Sequence, residues 1–535
     1  MRDHVSLLIN GQPHKVAAPD TFQPLSTFLR ERLGLTGTKV VCAEGDCGSC
    51  TVLLGRIRNN KLSYQPVCSC IQSVFQMDGA HVVTVEGLSY GGQLNPVQTA
   101  MVKHHGAQCG YCTPGFVVAM CSVLDETKTS GVATKEHDLR RGLVGNLCRC
   151  TGYESILQAG LSVDRAALRA LNDLYVTPAI AQALSQADRE PLEIRHENTL
   201  FSKPTNLADA LAFRAANPKC TILSGGTDIG VQSNKGIRQL QTVLSTTGLR
   251  DLESITVANN QITAGARASL SDLEKITLQH LPEFGKMLAW FGSPLIKNAG
   301  TIGGNIANGS PIGDTMPALF VLNAQVELTG PAGPRRININ DFYTGYRTTI
   351  MRPEELITAV IIPLPAPTDL FKIYKISKRK DLDISTFMAA IWLQNTQNRT
   401  RSVSEGRPVD PTPRNLAHTL APQNRTRSVS EGGETSRNTS DLPPTINTAR
   451  IAFGGVAPTI VRLPKTESFL RNQPFSEFTF KQAGAIARHE IHPISDVRGA
   501  ADYRLQLAEN ILCKFHADTA PYQKTPANAA SNGAP

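Results

Sequence analysis

Ten of the twelve cysteines in this 535-residue chain fall before residue 151, while Cys220 and Cys513 stand alone far downstream. That asymmetry constrains the fold more than any other feature. Thiols crowded at one end of a large chain point to metal binding rather than to a disulfide framework, which small secreted domains use in place of a core. No charged and then apolar leader opens the chain. Its longest apolar runs, such as Phe387 to Leu393, are far shorter than the roughly 18 residues a membrane span requires. With 41% hydrophobic and 19% charged residues, most of the chain can bury ordinary cores, about three or four of them at ~100–200 residues per domain. The net charge of +9 is too thinly spread to make a dense basic face. The expectation is a cytoplasmic protein with neither nucleic acid nor membrane as partner.

Near the amino terminus Val5, Leu7 and Ile9 alternate, Asn10-Gly11 supplies a two-residue hairpin turn, and His14 to Ala17 makes the return. Leu25, Phe28, Leu29 and Leu33 recur at helical spacing, with Gly34 where a helix stops. Then comes Cys42-Ala-Glu-Gly-Asp-Cys47-Gly-Ser-Cys50, followed by Cys68 and Cys70. C-x4-C-x2-C with a distant fourth cysteine matches the plant-type pattern for a [2Fe–2S] cluster. Three thiolates on one loop require a tight curl, and Gly45 and Gly48 permit it while letting amides approach the sulfurs. Zinc also takes four cysteines, and the spacing leaves both Cys68 and Cys70 open as the fourth ligand.

Residues 96–124 read as a helix interrupted by Gln108-Cys109-Gly-Tyr-Cys112-Thr-Pro114-Gly115. Thr113 is expected to cap a new helix begun by Pro114. A further helical segment, Glu136 to Leu143, leads to Cys148-Arg149-Cys150. Two such pairs at helix ends can meet in a bundle, where N-terminal amides offset the charge of a cysteinate cluster. Alone, C-x2-C suits zinc or a redox dithiol equally well. Together and in this order, the motifs resemble the iron–sulfur portion of the molybdenum hydroxylase family, the group of xanthine dehydrogenases and aldehyde oxidases. The resemblance implies a β-grasp ferredoxin-like domain over 1–85, with one [2Fe–2S] cluster on Cys42, Cys47, Cys50 and Cys70 and with Cys68 a buried thiol. It implies a helical-bundle domain over 86–160, with a second [2Fe–2S] cluster on Cys109, Cys112, Cys148 and Cys150 and with Cys121 in the core. It also implies that Gln108 contacts the molybdenum-pterin cofactor of a partner.

Residues 161–190 form a polar, alanine-rich linker, helical in part and punctuated by Pro178 and Pro191. Two glycine loops follow, one over Ile222 to Gly230 and one over Asn298 to Asn305, the second running on to Asp314. Such loops aim several backbone amides at one pyrophosphate. Neither has the G-x-G-x-x-G spacing, so a Rossmann fold is not indicated. As an ordered pair they resemble the flavin domain of the same family, which implies an α+β FAD-binding domain of the PCMH/VAO-like kind over 191–366. By that resemblance the FAD phosphates are held by Leu223, Ser224, Gly225, Gly226, Thr227, Asp228 and Ile229 with Thr301, Gly303, Gly304 and Asn305. Phe291 then packs near the flavin ring and Asp314 binds the ribose side. Lys375 lies at the flavin's polar edge, where a cation stabilises a reduced, anionic flavin. Trp290, Pro294 and Leu295 depart from the residues usual in bacterial relatives.

Residues 371–516 resemble the family's small α+β carboxy-terminal domain, of the CO dehydrogenase flavoprotein kind, on the strength of Arg450 to Pro458 and Pro493 to Arg504. An insert over 394–445 interrupts it. There QNRTRSVSEG occurs twice, from 397 and from 423, and the polar composition predicts disorder, as it does for the tail 517–535. The expected fold class is therefore multidomain α+β. Two iron–sulfur modules followed by flavin resemble the small subunit of two-subunit bacterial members. That implies an NAD-dependent oxidoreductase subunit with no catalytic residue of its own. Electrons would come from hypoxanthine or xanthine, oxidised to urate by a large partner holding the molybdenum cofactor. They would pass through both clusters to FAD and on to NAD, in a heterotetramer of two small and two large subunits. Service to another hydroxylase, of aldehydes, nicotinate or an aromatic thioester, would leave the same marks, and a non-enzymatic iron–sulfur or zinc scaffold is the remaining alternative.

Overall fold

The computed structural model describes residues 2–58, 61–89, 91–395 and 443–520. Asn10 and Gly11 both take left-handed angles, φ 49° and 83°, and so turn the chain between the antiparallel strands Val5–Ile9 and Gln12–Val16. Thr51–Arg58, Lys61–Cys68 and His81–Val83 complete a five-stranded sheet in which Val5–Ile9 runs parallel to His81–Val83. The expected helix forms over Leu25–Thr27 and Phe28–Arg32. It buries Leu25, Phe28 and Leu29 with Val52, Val67 and Phe75, so the sheet grips one helix. The strand Lys61–Cys68 ends beside the cysteine loop, which brings Cys68 and Cys70 to it.

Four helices follow, Pro96–Lys103, Thr113–Ser130, Glu136–Gly142 and Glu154–Leu161. They pack around Val97, Met101, Phe116, Met120, Leu139 and Ile156. The first is capped as its sequence demands, Asn95 accepting from the Gln98 amide. The second begins one residue earlier than expected. Cys112 already has helical angles and holds the cap position, so Thr113 is the first helical residue and caps nothing. The linker contains helices Leu171–Tyr175 and Pro178–Arg189, and Leu184 of the second packs on Leu8 and Leu62 of the first sheet.

The flavin segment is built on two sheets. One has four strands, in the order Leu192–His196, Thr199–Lys203, Thr242–Ser245 and Thr221–Leu223. The other is antiparallel, in the order Ile255–Ala258, Gln261–Gly265, Leu356–Pro363, Gln325–Gly330 and Gly333–Asn338. The first glycine loop leaves the strand Thr221–Leu223, and the second turns into helix Ile302–Asn308. The closing unit pairs Leu370–Ile376, Phe387–Asn395, Ile446–Gly454 and Val461–Arg462 and covers them with helices Pro464–Leu470, Glu477–His489 and Ala501–Thr519.

Phe387–Asn395 and Ile446–Gly454 are neighbours in register, so the insertion joins the two arms of one antiparallel pair. Gln394 and Asn395 belong to the first arm. Residues 396–442, with the repeated decapeptide and the disorder expected of it, lie outside the described residues, as does most of the tail. The last helix runs to Thr519, beyond the expected boundary at 516. Among the described residues no helix is long and apolar enough to cross a membrane.

Candidate functional site

The loop bearing Cys42, Cys47 and Cys50 curls at Gly45 and Gly48, whose φ values are 80° and 67°. A single turn, Ser69–Ile71, delivers Cys70. Cys42 is in hydrogen-bond contact with Cys47 and Cys70, which hold it far below the usual thiol range. Cys50 is similarly lowered by contact with Cys68 and Cys70. The Glu44 amide donates to Cys42 Sγ at 3.4 Å. Cys70 thus touches both sides of the group, whereas Cys68, wholly buried, donates to the Gly45 carbonyl at 3.6 Å. The geometry brings the four cysteines expected together, and Cys68 meets the same group through Cys50.

At the second site Cys109 and Cys150 meet Sγ to Sγ at 3.5 Å, and Cys112 meets Cys148. Thr151 Oγ1 lies 3.2 Å from Cys148 Sγ, and the Cys148 amide donates to the Tyr153 hydroxyl at 3.0 Å. Cys109 and Cys150 are exposed, Cys112 is half-buried and Cys148 buried; Gln108 is exposed beside them. Among the described residues no group of three or more His, Cys, Asp or Glu side chains is spaced to hold a metal ion. The cysteines meet in pairs, and four thiolates arranged two and two suit a binuclear iron–sulfur centre.

The two cysteine sites are in direct contact. The Leu147 amide donates to the Cys47 carbonyl at 3.0 Å, and Asn146 Nδ2 to the Gly48 carbonyl at 3.0 Å. A Cβ on Gly48 would come within 2.2 Å of the Gly145 carbonyl oxygen, so only glycine allows this approach.

Both glycine loops face one cavity of about 410 Å³, whose walls include Ser224 to Ile229, Phe291, Thr301, Gly303, Gly304 and Asn305. The loops pack main chain on main chain, since a Cβ on Gly225 would meet the Ala299 oxygen at 2.0 Å. Thr301 Oγ1 donates to Ser224 Oγ at 3.2 Å and accepts from the Gly304 amide at 3.1 Å. Hydroxyls, loop amides and an aromatic wall suit a dinucleotide with a flat ring system. Leu223 is buried beneath the loop at the end of its strand.

Asp314 and Lys375 stand apart from that lining. Asp314 accepts from Lys375 Nζ at 2.7 Å and from Ser385 Oγ at 2.6 Å, and Lys375 also donates to the Trp290 carbonyl at 3.1 Å, one residue from Phe291. Burial raises the Asp314 pKa against the opposing pull of Lys375 and Ser385. Asp314 and Lys375, expected at the ribose and at the ring edge, are thus placed by the structure in a buried ion pair outside the cavity lining.

Residues outside the expected set tie the cavity to the first cysteine site. Asn234, on helix Ile229–Asn234, donates from Nδ2 to the Cys70 carbonyl at 2.8 Å and to the Ala43 carbonyl at 2.9 Å. Lys235 pairs with Glu44 at 2.6 Å, and Gly230 lies directly against the Ile71 main chain. Arg267 and Arg347 also line the cavity. Nothing in local spacing marks any of these.

Four family models match the chain in order: a 2Fe-2S iron-sulfur cluster binding domain over 7–71, a [2Fe-2S] binding domain over 84–161, an FAD binding domain in molybdopterin dehydrogenase over 195–365, and a CO dehydrogenase flavoprotein C-terminal domain over 442–519. The chain is similar to a xanthine dehydrogenase of Drosophila subobscura, 28% identical over 95% of this chain and 38% of that protein. It is also similar to xanthine dehydrogenase 1 of Arabidopsis thaliana (27%, over 95% and 39%) and to a xanthine dehydrogenase of Calliphora vicina (30%, over 72% and 32%). It thus spans about two fifths or less of the length of these relatives. Among solved structures, carbon monoxide dehydrogenase from Hydrogenophaga pseudoflava matches at 21% identity and TM-score 0.49, over 62% of this chain and 99% of that one. Quinoline 2-oxidoreductase from Pseudomonas putida 86 matches at 20% and 0.49, over 62% and 100%. With both cysteine sites and the flavin cavity falling inside the matching models, in matching order, the chain belongs to the molybdenum hydroxylase family, as its iron–sulfur and FAD-binding portion.

Proposed function

We propose that this chain is the electron-transfer subunit of a xanthine dehydrogenase. In this reading a large partner subunit holds the molybdenum-pterin cofactor and oxidises hypoxanthine or xanthine to urate. The assembly contains two small and two large subunits, and NAD is the final acceptor. When bound, the clusters and FAD supply single-electron relay and its conversion to two-electron hydride transfer.

The observation that carries the reading is the order in which the sites are buried. Cys109 and Cys150 open to solvent, rimmed by exposed Tyr111, Leu147 and Tyr153, a setting that suits entry from a docked partner. Leu147 and Asn146 clasp the Cys47–Gly48 loop, which lies deeper. Asn234 and Gly230 then join the Cys70 turn to the flavin cavity. The residues therefore hold three sites in one line, entry at the exposed end and exit at the cavity. Asp314 fixes Lys375 on the Trp290 carbonyl and so keeps a cation on the residue preceding Phe291 in sequence. The hydroxyls of half-buried Ser224 and buried Thr301 hold the two glycine loops together.

The test is the assembled complex carrying Cys148→Ser. Xanthine-to-NAD turnover should vanish while NADH-to-dye activity persists, because the exposed entry site is lost and the exit is not. Full turnover in the variant would overturn the ligand assignment. Turnover of aldehydes or nicotinate but not of purines by the wild-type complex would overturn the substrate.

A further inference from the structure

Beside the flavin cavity, and sharing Ser224, Gly225, Thr301 and Arg267 with it, is a smaller cleft of about 60 Å³. Its far wall is formed by the ferredoxin-like sheet, which contributes Arg56 and Arg58. Arg267 follows the strand Gln261–Gly265 and is nine-tenths buried, with 10% of its side chain exposed. One guanidinium nitrogen donates to the Thr246 carbonyl and another to Glu253 Oε1 at 2.8 Å. Its Nε is buried and has no hydrogen-bond partner among the described residues. A charged donor left unmade in the interior is costly, and this one belongs to a residue that lines both the cleft and the cavity.

The charges around it do not balance. Arg250 is bound to Asp188 and Glu253, and Glu253 is shared with Arg267. Arg56 donates only to the carbonyls of Gln76 and Asp78. The Asp78 carboxylate is taken by Arg2 and Lys203, and Arg58 is paired with Asp272. Three guanidiniums therefore share two carboxylates under the glycine loops. Burial lowers Arg56 and Arg267 to about 10, so both remain protonated at neutral pH and the surplus positive charge is real. A desolvated surplus of this kind calls for an anion.

We propose that Arg267 is a phosphate-binding residue for the flavin dinucleotide, its free Nε–H donating to a pyrophosphate oxygen held at Ser224, Gly225 and Thr301. The inference rests on the FAD reading of the cavity and adds to it a cation that the glycine loops do not supply. It also links the domains. Arg56 approaches from the ferredoxin-like sheet, and Gln72 of the same domain donates to the Gly225 carbonyl at 2.9 Å, so phosphate binding at Arg267 and docking of the iron–sulfur domain reinforce each other.

The full chain, stripped of flavin, can be titrated with FAD and with riboflavin, which carries the ring system without phosphate, and followed by flavin fluorescence. In the wild type FAD should bind more tightly than riboflavin. Arg267→Met should weaken FAD about ten- to a hundred-fold, as loss of a charge-assisted hydrogen bond does, and leave riboflavin unchanged; Arg267→Lys should recover part of the loss. Arg267→Gln, which can still donate to Thr246, serves with the same expected split if the methionine variant does not fold. Equal weakening of both flavins, or of neither, would overturn the role of Arg267. A wild type that does not prefer FAD to riboflavin would overturn the cavity reading itself.

Discussion

Replacing Gly230 by alanine tests whether the helix leaving the first glycine loop is truly seated on the first cysteine site. A Cβ there would lie 2.1 Å from the Ile71 carbonyl oxygen and 2.9 and 3.1 Å from its carbonyl carbon and Cα. Both partners are main chain, so no change of rotamer relieves the clash. An ordinary separation of about 3.5 Å is reached only if the two segments part by more than about 1 Å. Cys70 precedes Ile71, and its carbonyl is held by Asn234 Nδ2 at 2.8 Å, with Ala43 at 2.9 Å from the same nitrogen. The same parting stretches both bonds. Overpacking costs about 1–3 kcal/mol and each of the two hydrogen bonds about 0.5–1.5 kcal/mol, so the docked arrangement should lose about 2–6 kcal/mol. Urea unfolding of the loaded chain, followed separately by flavin fluorescence and by iron–sulfur absorbance, should show both midpoints lowered in Gly230→Ala. Ser233→Ala on the same helix should leave them in place. Electron equilibration between flavin and the first site after rapid reduction should also slow. Unfolding and equilibration indistinguishable from wild type would refute the seating.

Cys70→Ser should abolish the electron paramagnetic resonance signal of the first cluster and spare the second, whereas Cys68→Ser should keep both, because Cys68 meets only one member of the group and donates to Gly45. Lys203→Met should destabilise the chain by about 3–5 kcal/mol, measured by urea unfolding, since it strips one of two cations from the buried Asp78 carboxylate; Lys203→Met with Asp78→Asn should recover part of that. His81 accepts from the Gly11 amide at Nε2, which assigns the Nδ1 proton to its 2.7 Å contact with the Tyr64 hydroxyl, and burial lowers its pKa to about 4. The unfolded chain adds the second imidazole proton near pH 6.5, and the folded chain, where that proton would have to displace the Gly11 amide at Nε2, does not until near pH 4. Stability should therefore fall by about 3 kcal/mol as pH drops between those values, and His81→Gln should remove that share of the slope.

Local chemistry was legible in the sequence. The Asn10-Gly11 turn, the helix after Leu25, the Cys42–Cys50 loop, the Cys109–Cys112 and Cys148–Cys150 pairs and each glycine loop depend on residues within about ten positions of one another, and the structure builds each of them where its residues stand. The Cys68 or Cys70 ambiguity was not local in that sense. It rests on the turn Ser69–Ile71, which places Cys70 against Cys42 and Cys50 and leaves Cys68 against Cys50 and the Gly45 carbonyl. Thr113 failed as a cap for a similar reason: threonine favours caps in general, but the Cys109–Cys112 turn already carries Cys112 into helical angles, and no propensity at 113 records that.

What the sequence could not disclose is the joining of the parts, and there the physical reason is sequence separation. Asn234 acts on a cysteine 164 positions away, Asn146 on a glycine 98 away, and Asp314 on a lysine 61 away. Each is a single polar residue of a kind that ordinarily ends in solvent. Yet relay between redox centres depends on fixed, short separations, which tethered domains with loose interfaces would not provide. The motifs therefore define three binding sites, and contacts with no motif turn them into a line. In the cleft under the glycine loops the two requirements meet: Arg267 and Arg56 come from different domains and line one cleft, so if Arg267 binds the flavin phosphate as proposed, occupancy of the flavin site and closure of the line become a single equilibrium.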